Sequence, residues 1–268
     1  MASIAARSSE ASVQPTNSLA AVSTARSARR EVLQPPEGLE PNRKLRIAAI
    51  GLRGVPSNYS GLETSAQSLY RDLARRGHEI TVYSRKRYVE RPEEHYHGIH
   101  RLNLPPIYLK SVETLSHIGL SLAHALTRGD YDVLHLHALA PGLGAWIRRF
   151  SQIPIVSTVQ GLDWQRAKWR GAGAKALRSA ERLLARHADE MIVVSQELQE
   201  YFQRQYQRPT THIPNGVERL FVSQDHDLLA SFGLEAERYV VFIGRLVPEK
   251  RVEDLIAAFR SMPPSYKL

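Results

Sequence analysis

The 268-residue chain has no cysteine. That excludes disulfides and thiolate metal sites, and it suits a reducing compartment. No run of apolar residues approaches the length that spans a bilayer, so a membrane-spanning helix is excluded on sequence. Acidic residues are in deficit, 27 against 36 basic, for a net charge of +9. A secretory leader is also missing: residues 1–44 hold no apolar core segment, so secretion is not expected. What remains, 43% hydrophobic and 24% charged residues, is the composition of a globular protein of one or two domains.

The excess charge is local. Residues 164–186 carry Arg166, Lys168, Arg170, Lys175, Arg178, Arg182 and Arg186 against Glu181 alone. A basic stretch of this kind suits an anionic partner such as a membrane surface, or it is a solvated helix face. Residues 1–44 are rich in Ser, Ala, Arg and Pro without periodicity and read as a disordered tail, an organellar transit peptide being the alternative.

The chain is organised around residues 47–63. Ile47-Ala48-Ala49-Ile50 is a short apolar run of the kind buried in a parallel sheet. A loop with Gly51, Gly54, Pro56 and Gly61 follows, and then Leu62, Ala66, Leu69 and Leu73 recur at helical spacing. Strand, glycine loop and helix start bring backbone N–H groups against a phosphate, and Arg53 adds a forked cation. An ordinary strand-to-helix turn is the plainer alternative.

Further short strands are expected at 79–84, 132–137, 153–159, 190–195 and 211–214. Helices are expected at 62–75, 108–126, 145–150, 175–187 and 196–206. The segment from Arg85 to His100, with His95, His97 and His100, reads as a loop. Alternation of this kind predicts an α/β fold with a doubly wound parallel sheet over 45–217. Asn215-Gly216 marks a turn that would serve as a hinge, and 218–237 reads as a linker. A second strand–loop–helix unit then begins, with a strand at 239–244, charged residues at Arg245, Glu249, Lys250 and Arg251, and a helix at 255–259. The 48 residues after Leu220 are too few for a second doubly wound domain, so that domain reads as incomplete.

Four segments, GLRGVPSNYSGLET (51–64), TVQGLDWQRAKW (158–169), HIPNGV (212–217) and FIGRLVPEKRVEDLIAAF (242–259), resemble those of GT-B glycosyltransferases of the family-4 type. More narrowly they resemble the bacterial rhamnosyltransferase-like subgroup of polysaccharide assembly. The resemblance implies two Rossmann-like domains facing a cleft, a nucleotide-sugar donor, and retained donor configuration. It implies no metal or other cofactor. Arg245 and Lys250 would hold the donor diphosphate, where two cations stabilise the departing charge. Arg53, Gly54 and Gly61 would face the same diphosphate. Gln160, Asp163, Trp164, Lys168 and Trp169 would line the side of a saccharide or lipid-linked acceptor.

Where many family members carry a His this sequence has Gln160, which hydrogen-bonds but is no acid at neutral pH. The family's later acidic motif lies downstream of these residues. A complete chain of this length is therefore expected to bind donor weakly and to transfer little. A remnant or binding domain of such an enzyme is the alternative function. A nicotinamide dehydrogenase is disfavoured because the glycine spacing is not G-x-G-x-x-G and the second strand ends at Ser84 without a carboxylate. Nucleic-acid binding would explain the charge but not the GRLVPEK segment. His135 and His137 share a strand face and read as satisfied side chains rather than a metal pair. The expected location is cytoplasmic, peripheral at the inner face of the membrane through residues 164–186.

Overall fold

A computed structural model describes residues 43–56, 60–89, 93–109, 112–166, 169–216, 227–244 and 246–268. The tail over 1–42, the segment 217–226, Lys168 and Arg245 lie outside the described residues.

The elements follow the expected alternation: β1 (Arg46–Ile50), α1 (Gly61–Arg75), β2 (Glu79–Arg85), β3 (His95–Tyr96), β4 (Ile99–Leu104), α2 (Glu113–Thr127) and β5 (Val133–His137). A 3₁₀ segment (Ala140–Arg149) leads to β6 (Ile155–Val159). Then come α3 (Ala172–His187), β7 (Glu190–Val193), α4 (Gln196–Tyr206) and β8 (Thr211–His212). They build one sheet in the order β3-β4-β2-β1-β5-β6-β7-β8. Every pairing is parallel except β3 with β4.

Side-chain alternation along β1 divides the core in two. Ala48 and Ile50 join one cluster with Ile118 and Leu122 of α2, Ala145, Leu177 and Leu184 of α3, and Phe202 of α4. Ile47 and Ala49 face Ala66 and Tyr70 of α1. Helices therefore cover both faces, which is the doubly wound arrangement the apolar strands require.

Three expectations need correction. The histidine-rich stretch is not a loop throughout: β3 and β4 form a hairpin with His95 opposite His100, and β4 continues the sheet beside β2. His97 and Gly98 make the turn with φ of +47° and +83°. Residues 140–149 coil as a 3₁₀ segment instead of an α-helix at 145–150, because Pro141, Gly142 and Gly144 weaken the α-helical ladder. Helix α2 begins at Glu113, not Tyr108.

Beyond 226 the described residues form α5 (Asp227–Ser231), a 3₁₀ turn (Pro248–Lys250) and α6 (Val252–Phe259). The strand expected at 239–244 is reduced to a parallel bridge between Tyr239 and Lys267. Val240 N–H donates to the Lys267 carbonyl at 2.8 Å, and Lys267 N–H to Arg238 at 3.1 Å. No further ladder forms among the described residues.

Candidate functional site

The site develops where β1, β5 and β6 end, the usual place for a ligand crevice in a parallel sheet. The chain leaves β1 through Gly51, whose φ is +108°. A Cβ there would run into the His137 carbonyl oxygen and stand 2.7 Å from Pro141 Cγ, so only glycine lets the loop pass the end of β5. Gly54, with φ of +154°, packs against Val89 and Ser84 at the end of β2. It is buried and shapes the loop without lining a cleft. Gly61 opens α1 in free space.

The start of α1 carries its own anion. Ser60 precedes the helix and its hydroxyl donates to the Glu63 carboxylate. The other Glu63 oxygen accepts the Arg53 N–H at 3.4 Å. Glu63 is buried, stabilised by the positive end of the helix. The loop amide that the sequence offered to a phosphate is thus engaged by a protein carboxylate.

A cleft of about 340 Å³ opens beside this loop. Arg53, Gly61, Gln160, Asp163, Trp169 and Asn215 all line it, so six of the residues singled out in the sequence converge from three separate segments. Glu63, Arg85, His137 and Arg166, which line it too, were not expected at the site from the sequence. Arg85 ends β2 with its side chain 7% exposed and its Nη1 3.6 Å from Glu113 Oε1. The Arg53 and Arg85 guanidinium carbons stand 5.4 and 6.0 Å from the Tyr88 ring centroid. Burial holds the Arg85 pKa below its usual value; Glu113 opposes that shift and the Arg53 charge adds to it. Arg166 pairs with Asp163 at 3.3 Å. Arg53 and Arg85 thus stand near one another at the cleft, and Arg166 is part of the same lining.

A second cleft of about 470 Å³, also lined by Gly216, shares Gln160, His137 and Asn215 with the first. Gln160 and Asn215 bond reciprocally through their amides, at 3.0 and 2.7 Å, and Ser65 Oγ donates to Asn215 Oδ1 at 3.0 Å. This ties the end of β6, the segment after β8 and α1 together. Asn215 is pinned to the first domain by two side chains.

Beneath the clefts His135 and His137 are buried; both ring nitrogens of His135 are bonded, whereas His137 Nδ1 has no partner among the described residues, so the expectation of satisfied side chains holds for His135 alone. The Tyr70 hydroxyl shares hydrogen bonds with His135 Nδ1 at 2.8 Å and His137 Nε2 at 2.5 Å, and His135 Nε2 bonds Thr158 Oγ1 at 2.8 Å. Burial lowers the His135 pKa to about 4 and pushes His137 well down, with the neighbouring ring adding to the latter.

Trp164, expected on the acceptor side, lines neither cleft. Its Nε1 donates to Glu181 Oε2 at 2.7 Å and the Arg178 guanidinium lies 4.2 Å over its ring, which turns the indole into packing between the 3₁₀ turn at 163–165 and α3. Lys250 ends the Pro248–Lys250 turn, is exposed, and lines neither cleft.

A family model described as Glycosyltransferase Family 4 matches residues 59–219, more than half of the chain. The chain belongs to this glycosyltransferase family. It is 24% identical over 236 residues to the uncharacterized glycosyltransferase MJ1607 of Methanocaldococcus jannaschii, covering 82% of this chain and 59% of that protein. Sucrose-phosphate synthase from Thermosynechococcus elongatus has a similar fold, with TM-score 0.68, 23% identity, and coverage of 82% of this chain and 60% of that one. So has WaaG, a glycosyltransferase involved in lipopolysaccharide biosynthesis, at TM-score 0.63, 15% identity, and coverage of 83% and 62%. Anabaena HepE, solved in complex with UDP and glucose, matches at TM-score 0.61 and 20% identity over 83% of this chain and 59% of its own. The chain thus spans about three fifths of the length of these relatives.

Proposed function

We propose that this family-4 chain transfers a sugar from a nucleotide-diphosphate-sugar donor to a saccharide or lipid-linked acceptor, with the donor configuration retained and without a metal. The observation that carries the reading is the crowding of Arg53, Arg85 and Arg166 in one cleft with the Gln160–Asn215 pair at the carboxyl edge of a parallel sheet. Cations held in place before reaction stabilise a departing diphosphate without reorganisation. In this reading Arg245 and Lys250 hold the donor diphosphate together with Arg53 and Gly61, while Asp163, Lys168 and Trp169 face the acceptor. A hexosyl or rhamnosyl transfer in bacterial polysaccharide or glycoconjugate synthesis is the setting the sequence motifs favour.

The exposed row Lys175, Arg178, Arg182 and Arg186 on α3 supports a cytoplasmic protein docked on an anionic membrane surface. A second reading is a binding domain of such an enzyme, without turnover.

The test is donor-dependent sugar transfer by the full chain, compared with Arg53→Ala and Lys250→Ala. Each substitution should lower kcat/KM roughly 10- to 100-fold, the loss expected for one charge-assisted contact. Donor binding without product would favour the second reading, and neither binding nor product would refute both.

A further inference from the structure

The turn at residues 161–166 forms one wall of the first cleft, where Asp163 and Arg166 line it. Its backbone bonds are local: Asp163 N–H donates to the Gly161 carbonyl at 3.1 Å, Gln165 N–H to Leu162 at 3.0 Å, and Arg166 N–H to Asp163 at 3.1 Å. The ion pair of Asp163 with Arg166 is local too. Contacts between residues two or three apart fix the shape of a turn and leave its place in the fold to other groups. Here the side chain that reaches out is Trp164. Its Nε1 donates to Glu181 Oε2 at 2.7 Å, with the Arg178 guanidinium 4.2 Å over its ring. The other Glu181 oxygen accepts from the Tyr201 and Tyr206 hydroxyls of α4, at 2.7 and 2.6 Å.

A buried carboxylate with three donors has little freedom to move, since losing any of them leaves a desolvated oxygen short of a partner. Its two oxygens face different ways: one holds α4, the other holds the cleft turn. Trp164 directly follows Asp163 and shares the turn with Arg166, so an indole that is fixed fixes the pair beside it. We infer that Glu181 is a positioning residue for the cleft. From α3, through Trp164, it sets where Asp163 and Arg166 stand, and so how tightly an acceptor is held. The pair presents a carboxylate oxygen that accepts and a guanidinium that donates, a combination that suits adjacent hydroxyls of a saccharide. The inference rests on the acceptor role proposed for Asp163, and it names the group outside the cleft on which that role depends.

Glu181→Ala would remove all three bonds at once and lower stability with them, so the experiment cuts them singly in the full chain. Trp164→Phe keeps a ring beneath Arg178 and removes only the Nε1–H donor. Tyr206→Phe removes one donor from the opposite oxygen, where Tyr201 remains. In hydrogen exchange read by mass spectrometry, the amides of 161–169 should exchange about tenfold faster in Trp164→Phe and at the native rate in Tyr206→Phe. In transfer from UDP-glucose to octyl glucoside, Trp164→Phe should raise the acceptor KM about tenfold with the donor KM unchanged, and Tyr206→Phe should leave both at the native values. Equal exchange over 161–169 in the two variants would overturn the inference, leaving Glu181 as a joint between α3 and α4. Faster exchange there with a native acceptor KM would overturn it too, because the turn would then move without consequence for the acceptor. Absence of transfer by the native chain would count against the proposed function, and the exchange rates would then decide the inference by themselves.

Discussion

A carboxylate that is 1% exposed is tolerated only when its oxygens are filled, and Glu181 fills them from three sides. Trp164 Nε1 donates to one oxygen at 2.7 Å, and the Tyr201 and Tyr206 hydroxyls donate to the other at 2.7 and 2.6 Å. Burial and the Glu181 carboxylate together raise the pKa of both phenols, Tyr201 to about 12. Replacing Glu181 by Ala orphans three half-buried donors and should cost about 1–3 kcal/mol in urea unfolding. Glu181→Gln, which keeps one acceptor oxygen, should cost less. Three histidines set the acid limit. Burial lowers His117 and His135 to about 4 and holds His137 well below the ordinary value of 6.5 as well. The unfolded chain therefore takes up protons that the folded chain refuses. Stability is full above about pH 6.5 and falls as pH drops toward 4, with a slope approaching three protons. Urea midpoints measured between pH 7 and 4.5 check this, and a flat profile would contradict it.

Close approach of elements is set by small residues. Gly142 of the 3₁₀ segment lies against α3: a Cβ there would meet the Ala180 carbonyl oxygen and stand 2.5 Å from Leu184 Cγ. Gly142→Ala must push two elements apart, at roughly 1–3 kcal/mol by thermal denaturation. Gly61→Ala meets nothing within 4 Å and should be close to neutral, a paired control that separates packing from helix entry. The strands that the sequence announced, β1, β5, β6 and β7, are apolar runs because both of their faces are covered. Strand β4 hid itself. Its Arg101 is 1% exposed and donates to the Val55 carbonyl at 3.1 Å, so a core position reads as a surface charge. Trp164 misled for a related reason: its partner Glu181 lies in another element, and one sequence does not show which carboxylate turns inward.

At the scale of the molecule the crevice was legible as a place and only partly as a set of residues. Glycine loops and strand ends locate it, since a parallel sheet opens its crevice there. Which arginines converge depends on register, and β2 beside β1 brings Arg85 to the loop of Arg53, where its N–H donates to the Arg53 carbonyl at 2.8 Å. The amide pair of Gln160 and Asn215 spans 55 residues and joins the two clefts. A double-mutant cycle on Gln160→Ala and Asn215→Ala should show a coupling of about 1 kcal/mol in stability. Additive losses would mean that the pair does not hold the segment after β8 in place. The central claim, sugar transfer through the arginine-lined cleft, is tested most directly by one measurement. The full chain is incubated with UDP-, GDP- and dTDP-sugars and a lipid-linked or saccharide acceptor, and nucleoside diphosphate release is read alongside glycosylated product. Release matched by product is expected for at least one donor, falling at least about tenfold in Arg53→Ala. No product with any donor, or product unchanged by that substitution, would contradict it.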